Sequence, residues 1–212
     1  MKNVRVFYKK KDRMIFVSHL DMNRYFLRLL KLSKLPVWFT EGFNPHPYIT
    51  FALPLSLGFE SEYEVVDFRV TDDQLSNEFI KNSLSSVAVP GIEIIGVAEP
   101  KFKPNLIKKA EYKIQFLDDV DFGNLEAFLK TESIIIKKLT KKKVLKEVDI
   151  SSMIFKFSFE ESVLNLTLSA GSTDNLNPTL VLNAFEEKCD VKLPFYRISR
   201  TNLLMEDGSK FE

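Results

Sequence analysis

The chain contains two histidines, His19 and His46, and imidazole is the side chain best suited to proton transfer near neutral pH. His46 lies in Thr40-Glu41-Gly42-Phe43-Asn44-Pro45-His46-Pro47-Tyr48. Pro45 and Pro47 bracket its ring and restrict the neighbouring backbone, while Gly42 and Asn44 tolerate positive φ. A loop constrained in this way can present an imidazole accurately. His46 and His19 are therefore the candidate acid/base pair, with Asp21, Glu41 or Glu64 as carboxylates that would orient or assist one of them. Neither histidine has an H-x-x-x-H or similar ligand spacing, so no metal site is expected. Glycine-rich phosphate loops, a G-x-S-x-G elbow and an H-E-x-x-H pair are absent from the sequence, which removes the usual support for the corresponding chemistries, and no cofactor is expected.

A second constellation points to a polyanion. Arg24, Arg28 and Lys31 recur at i, i+4 and i+7, on the helix face away from Met22, Phe26 and Leu29. A row of guanidinium and ammonium groups can contact successive phosphates and release counterions on binding. Farther along, Glu62 and Glu64 are expected on one face of a strand by the period-two rule, with Asp67 on the other. A site built from these groups requires the first helix, the proline-bracketed loop and the acidic strand to meet in one pocket.

The elements that must position these residues follow from the pattern. Val4, Val6 and Tyr8 alternate as strand material, and the Lys9–Arg13 cluster reads as a hairpin or bulge before a second extended run, Met14–Val17. Ser18-His19-Leu20-Asp21 has the S-x-x-D spacing of a helix cap, and helical periodicity runs on to Pro36. Strands are expected at 37–40, 49–53, 63–70 and 91–97, with a second helix capped by Thr71 or Asp72. The second half repeats the order: strand 110–117, helix 121–129, two strands, one in part of 134–150 and one at 153–169, helix 178–188 and strand 196–205. Both halves read βαββαβ. The expected fold class is thus α+β, a tandem of ferredoxin-like units, each an antiparallel sheet with its helices on one face. The division is residues 1–99, a Pro- and Lys-rich linker at 100–107, and residues 108–212.

Composition sets outer bounds. The 212 residues are 45% hydrophobic and 28% charged, ordinary for a folded protein, and the net charge is +1. The distribution is uneven. Residues 1–48 carry 10 Lys/Arg against 3 Asp/Glu, residues 49–100 carry 2 against 9, residues 101–146 carry 12 against 6, and residues 147–212 carry 6 against 11. Such segregation permits a local basic patch on a nearly neutral protein. The N-terminus lacks the continuous apolar run of a signal peptide and no segment has the length of a membrane span, so a cytoplasmic location and no membrane partner are expected. The single cysteine, Cys189, cannot form an intramolecular disulfide or hold an iron–sulfur cluster alone, and reads as a small buried hydrophobe.

Phe16-Val17-Ser18-His19-Leu20-Asp21, with Arg24, Arg28, Pro36, Glu41-Gly42-Phe43-Asn44-Pro45-His46-Pro47, Leu55, Gly58, Ser61, Glu62 and Glu64, resembles the bacterial radical-SAM-linked family of uncharacterised proteins. The likeness is dense over about residues 4–70. Beyond that it rests on Val148-Asp149, Asn177-Pro178 and Arg197 to Leu204. It implies work beside a separately encoded radical-SAM protein, in an RNA or translation context. The chain cannot itself be that enzyme, whose cluster needs three cysteines. Tyr48 departs from the basic residue that often follows the histidine–proline pair in the family. The tandem fold also looks similar to CRISPR repeat-RNA endonucleases, a likeness at the level of fold. The favoured expectation is an RNA-binding accessory module acting through Arg24, Arg28 and Lys31. The alternatives are a metal-independent RNA endonuclease or modification enzyme using His46 and His19, and a protein–protein adaptor for the radical-SAM enzyme.

Overall fold

The computed structural model describes residues 1–139, 145–171 and 174–212. Its elements run β1 (Lys2–Lys10), α1 (His19–Leu32), β2 (Ile49–Phe51), β3 (Glu60–Val70), α2 (Asn77–Ser85) and β4 (Ile92–Ala98). After the connector come β5 (Lys109–Phe116), α3 (Phe122–Leu129), β6 (Ile135–Leu139), β7 (Leu145–Asp149), β8 (Ile154–Glu160), β9 (Val163–Ser169), α4 (Pro178–Cys189) and β10 (Tyr196–Leu204).

The protein is a mixed α+β fold with a mostly antiparallel sheet. Among the described residues that sheet has eight strands, in the order β4-β1-β3-β10-β5-β9-β8, with β2 also on β3. The two halves are thereby joined edge to edge. The long strand β3 makes this possible: β1 takes one edge, while β2 pairs near residues 66–68 and β10 pairs in parallel at Glu60 and Ser61 along the other. The β6–β7 hairpin stands apart as its own two-stranded sheet.

Alternation in the strands decides where the cores lie. Val4, Val6 and Tyr8 of β1 and Val66, Phe68 and Val70 of β3 cluster with Met22, Phe26, Leu29 and Leu30 of α1 and with Ile80 and Leu84 of α2. Each such fully buried side chain contributes roughly 2 kcal/mol. Ala110, Ile114, Leu164 and Leu168 cluster in the same way with Leu125 of α3 and Val181, Leu182 and Phe185 of α4.

Several local expectations are corrected. Met14–Val17 is not a strand: residues Asp12–Phe16 form a 3-10 turn, with Asp12 at φ 51° and the Met14 amide donating to Lys11 O. Val37 and Phe39 make only single bridges, to Val70 and Pro47. The second helix is capped by Ser76, because the Thr71 amide and hydroxyl both donate to Pro36 O and Asp72 accepts from Gln74 N in a turn of its own. Cys189 is exposed at the end of α4, not buried.

The sheet face opposite α1 and α2 is closed by Arg5. Its side chain is fully buried and donates to both Asp67 carboxylate oxygens at 2.8 and 2.7 Å, to Phe102 O at 2.8 Å and to Glu212 O at 2.8 Å. One guanidinium thus ties the connector and the last residues of the chain onto β1 and β3.

Candidate functional site

The first turn of α1 is set by its cap. Ser18 Oγ accepts from the Asp21 amide and donates to the Asp21 carboxylate at 2.7 Å, and Arg24 donates to the same carboxylate at 2.9 Å. These bonds hold the exposed Asp21 carboxyl below its usual range. They also leave the adjacent His19 ring free to lie edge-on against Phe51 of β2, 5.0 Å between centroids. Partial desolvation there lowers the His19 pKa, against the opposing influence of Glu64.

Beneath His19 lies a buried polar cluster that joins the halves. Arg200 of β10 donates from Nε and Nη2 to Glu64 of β3 at 2.6–2.9 Å, and its Nη2 and Nη1 donate to Leu53 O and Pro54 O. Ser61 Oγ donates to Arg200 O. Lys10 is buried and donates to Val17 O at 3.0 Å, and burial holds its ammonium below the ordinary lysine range. The Tyr8 hydroxyl is pushed up by burial and by Glu64.

This geometry corrects the expectation that Glu62 and Glu64 share a strand face. Tyr8 pairs with Glu64 and Lys10 with Ser61, so β3 carries one extra residue there, a bulge. Glu62 is left in surface ion pairs with Lys9 and Lys11, while Glu64 is committed to Arg200 inside the protein.

The proline-bracketed loop is closed by its own bonds. The Thr40 amide donates to His46 O, the His46 amide donates to Thr40 Oγ1, and His46 Nδ1 lies 2.9 Å from Asn44 O. A carbonyl can only accept, so Nδ1 carries the proton and the neutral ring presents its lone pair at Nε2. Gly42 adopts φ 119°, and Pro47 is buried while Glu41, Asn44, Pro45 and His46 are exposed. Phe43 is fully exposed at the loop tip.

Arg24, Arg28 and Lys31 are all exposed along one side of α1. The fold thus pairs Glu64 with Arg200 inside the protein, sets His19 within electrostatic reach of Glu64 and Lys10, places Asp21 and Arg24 in a surface pair on α1, and leaves His46 and Glu41 in a separate loop. No hydrogen bond, ion pair or ring contact among the described residues links His46 to His19 or Glu64. Arg200 and Lys10 were not singled out from sequence. Arg200 lies on a strand that also carries Arg197, Ser199, Thr201 and Asn202, so nothing in the local pattern marks it, and Lys10 was masked by flanking Lys9 and Lys11.

The fold and cluster define an α+β protein whose two halves meet on a buried Glu–Arg pair. No group of three or more His, Cys, Asp or Glu among the described residues is placed to hold a metal ion, and no helix is long and apolar enough to cross a membrane. Residues 3–178 match the family described as "Uncharacterized protein conserved in bacteria (DUF2344)", and the chain belongs to that family. No curated protein matches it. Among solved structures, one titled "Crystal Structure of a Cbf5-Nop10-Gar1 Complex" contains a chain similar over 93% of this chain and 48% of its own, at 10% identity and a TM-score of 0.48. The chain spans about half the length of that solved chain.

Proposed function

We propose that this protein is an RNA-binding accessory module, working beside a radical-SAM protein in RNA processing, modification or translation. The observation that carries the RNA reading is the exposed row Arg24, Arg28 and Lys31 on α1. Seven residues of helix rise about 10 Å, a length on the scale of two backbone phosphates. Lys34 is also exposed, just past the helix, and extends the row. The proline-bracketed loop adds exposed Phe43 and the exposed His46 ring, and exposed aromatic rings suit unpaired bases.

The strand pairings β4-β1-β3-β2 and β10-β5-β9-β8 favour reading the halves, 1–99 and 108–212, as tandem ferredoxin-like units with 100–107 between them. The radical-SAM partnership rests on the motif resemblance.

Fluorescence anisotropy with a panel of structured RNAs at two salt concentrations tests the reading. The parent is expected to bind with a steep salt dependence. Reversal of both Arg24 and Arg28 to Glu is expected to weaken binding about tenfold or more and to reduce the salt slope by roughly two. Unchanged affinity and slope in the variant would sink the proposal. The exposed imidazole of His46 favours one second reading, proton transfer to RNA. Gel analysis of the same mixtures decides it: cleavage abolished by His46→Ala supports an enzyme, and intact RNA throughout removes that reading.

A further inference from the structure

On the sheet face opposite α1 and α2, a cleft of about 410 Å³ opens between the β2–β3 edge and the connector. Its lining includes Tyr48, Thr50 and Arg69 of the β2–β3 side, Phe102 and Lys103 of the connector, and Asn3 of β1. We infer that this cleft holds one unpaired nucleotide of an RNA strand, the base between aromatic side chains and its phosphate on Arg69 and Lys103. The inference rests on the RNA-binding reading above and names the form of RNA that the module takes.

The chemistry of the lining favours this ligand. Tyr48 and Phe102 are both exposed and offer flat apolar surface to a base, which stacks on aromatic rings whatever its sequence. Arg69 is not a free-swinging cation. Its guanidinium lies 5.3 Å from the Trp38 ring centroid and 5.6 Å from that of Tyr48, and the Trp38 amide donates to Arg69 O. The carboxylate of Asp67 also lines the cleft, but both its oxygens accept from Arg5, so a phosphate meets little repulsion there. Asn3 and Thr50 supply groups that can bond a base edge or a 2′-hydroxyl.

The cleft is also formed in advance. Arg5 fixes the connector through Phe102 O, and Pro100 and Pro104 stiffen it on either side. A wall held in place before binding avoids the ordering cost that a mobile segment would add. From Lys31 and Lys34 the chain turns through Pro36 and Val37, which bridges to Val70, and reaches Trp38 beside Arg69. The end of the cation row on α1 is thus joined by a short stretch of chain to Trp38, whose ring lies beside the Arg69 of the cleft.

Trp38 is the only tryptophan in the chain, and its ring centroid lies 6.2 Å from that of Tyr48, so its emission reports on the cleft. The probes are AMP, adenosine, inorganic phosphate and a short single-stranded oligoadenylate, titrated into the full chain. AMP is expected to give a saturable change with Kd on the order of 1 mM, and adenosine or phosphate alone to bind about tenfold more weakly. Tyr48→Ala and Lys103→Glu should each weaken AMP and oligoadenylate about tenfold while the circular dichroism spectrum is retained. The Arg24/Arg28 reversal should leave the AMP titration unchanged and weaken only the longer RNA. No saturable response by about 10 mM AMP, or equal binding of phosphate and AMP, overturns the inference. RNA binding that persists with a silent Trp38 removes the cleft and keeps the module. AMP binding by a parent that binds no RNA removes the module, and with it the strand assigned to the cleft.

Discussion

His19 occupies the point where surface chemistry and buried electrostatics meet, and its titration follows from that position. Desolvation against Phe51 places its folded pKa below the ordinary 6.5. Between those two values the unfolded chain binds a proton that the folded chain does not. Stability therefore falls as pH drops through 6.5 and levels off below the folded pKa. Urea denaturation at about pH 7.5 and about pH 5.5 should show a larger loss for the parent than for His19→Gln. Equal losses would mean that His19 titrates as it does in the unfolded chain. The other histidine has a different use for its surroundings: Asn44 O selects the tautomer, and the loop's constraint shows as orientation. The constraint was legible in Pro45, Pro47 and Gly42, which takes φ 119°; Asn44, expected to tolerate positive φ, acts instead through its carbonyl, which no residue pattern announces. The partner of Glu64 was not, because Arg200 lies 136 residues away and no local pattern records such a meeting.

At the scale of elements, α1 was the most readable part of the chain. Its cap, buried stripe and exit are all local properties, and the S-x-x-D box forms as spaced, with Ser18 Oγ bonded to the Asp21 amide. Ser18→Ala removes that acceptor and also frees Asp21 from one of its two partners. A loss of about 1 kcal/mol is expected in urea denaturation, with the fold retained. No measurable loss would show that the first turn is held by packing alone. The misread elements share a cause. Met14–Val17 has the composition of a strand, but a positive φ at Asp12 and the bond to Lys11 O curl it into a 3-10 turn that no periodicity announces. Val37–Thr40 has strand-forming residues with only single bridges available at the sheet edge. The bulge in β3 defeats the period-two rule in the one stretch where face assignment mattered, separating Glu62 from Glu64.

Across the whole molecule, the shared sheet makes the Glu64–Arg200 pair a joint between two halves; the order βαββαβ was legible in the first, whereas in the second the β6–β7 hairpin occupies 134–150 and both β8 and β9 lie where a single strand, 153–169, was expected. Periodicity gives element order; it cannot tell that β10 will align with β3. Glu64→Gln leaves the buried Arg200 guanidinium without its counter-charge, and a loss of roughly 3–5 kcal/mol is expected. If the joint couples the halves, Trp38 emission and far-ultraviolet circular dichroism should report a single transition in the parent. Two separated transitions, with only one moved by Glu64→Gln, would show halves that unfold independently. Arg5 carries a consequence of another kind, for synthesis. The partners of this one side chain lie 62, 97 and 207 positions along the chain. A ribosome delivers residues in order, at about 5–20 per second. β1 would therefore emerge some ten seconds or more before Glu212, its arginine still facing water on one side. The nascent first half can collapse around α1 at once, but this face stays unsealed until translation has passed residue 212, an interval in which a chaperone has something to hold.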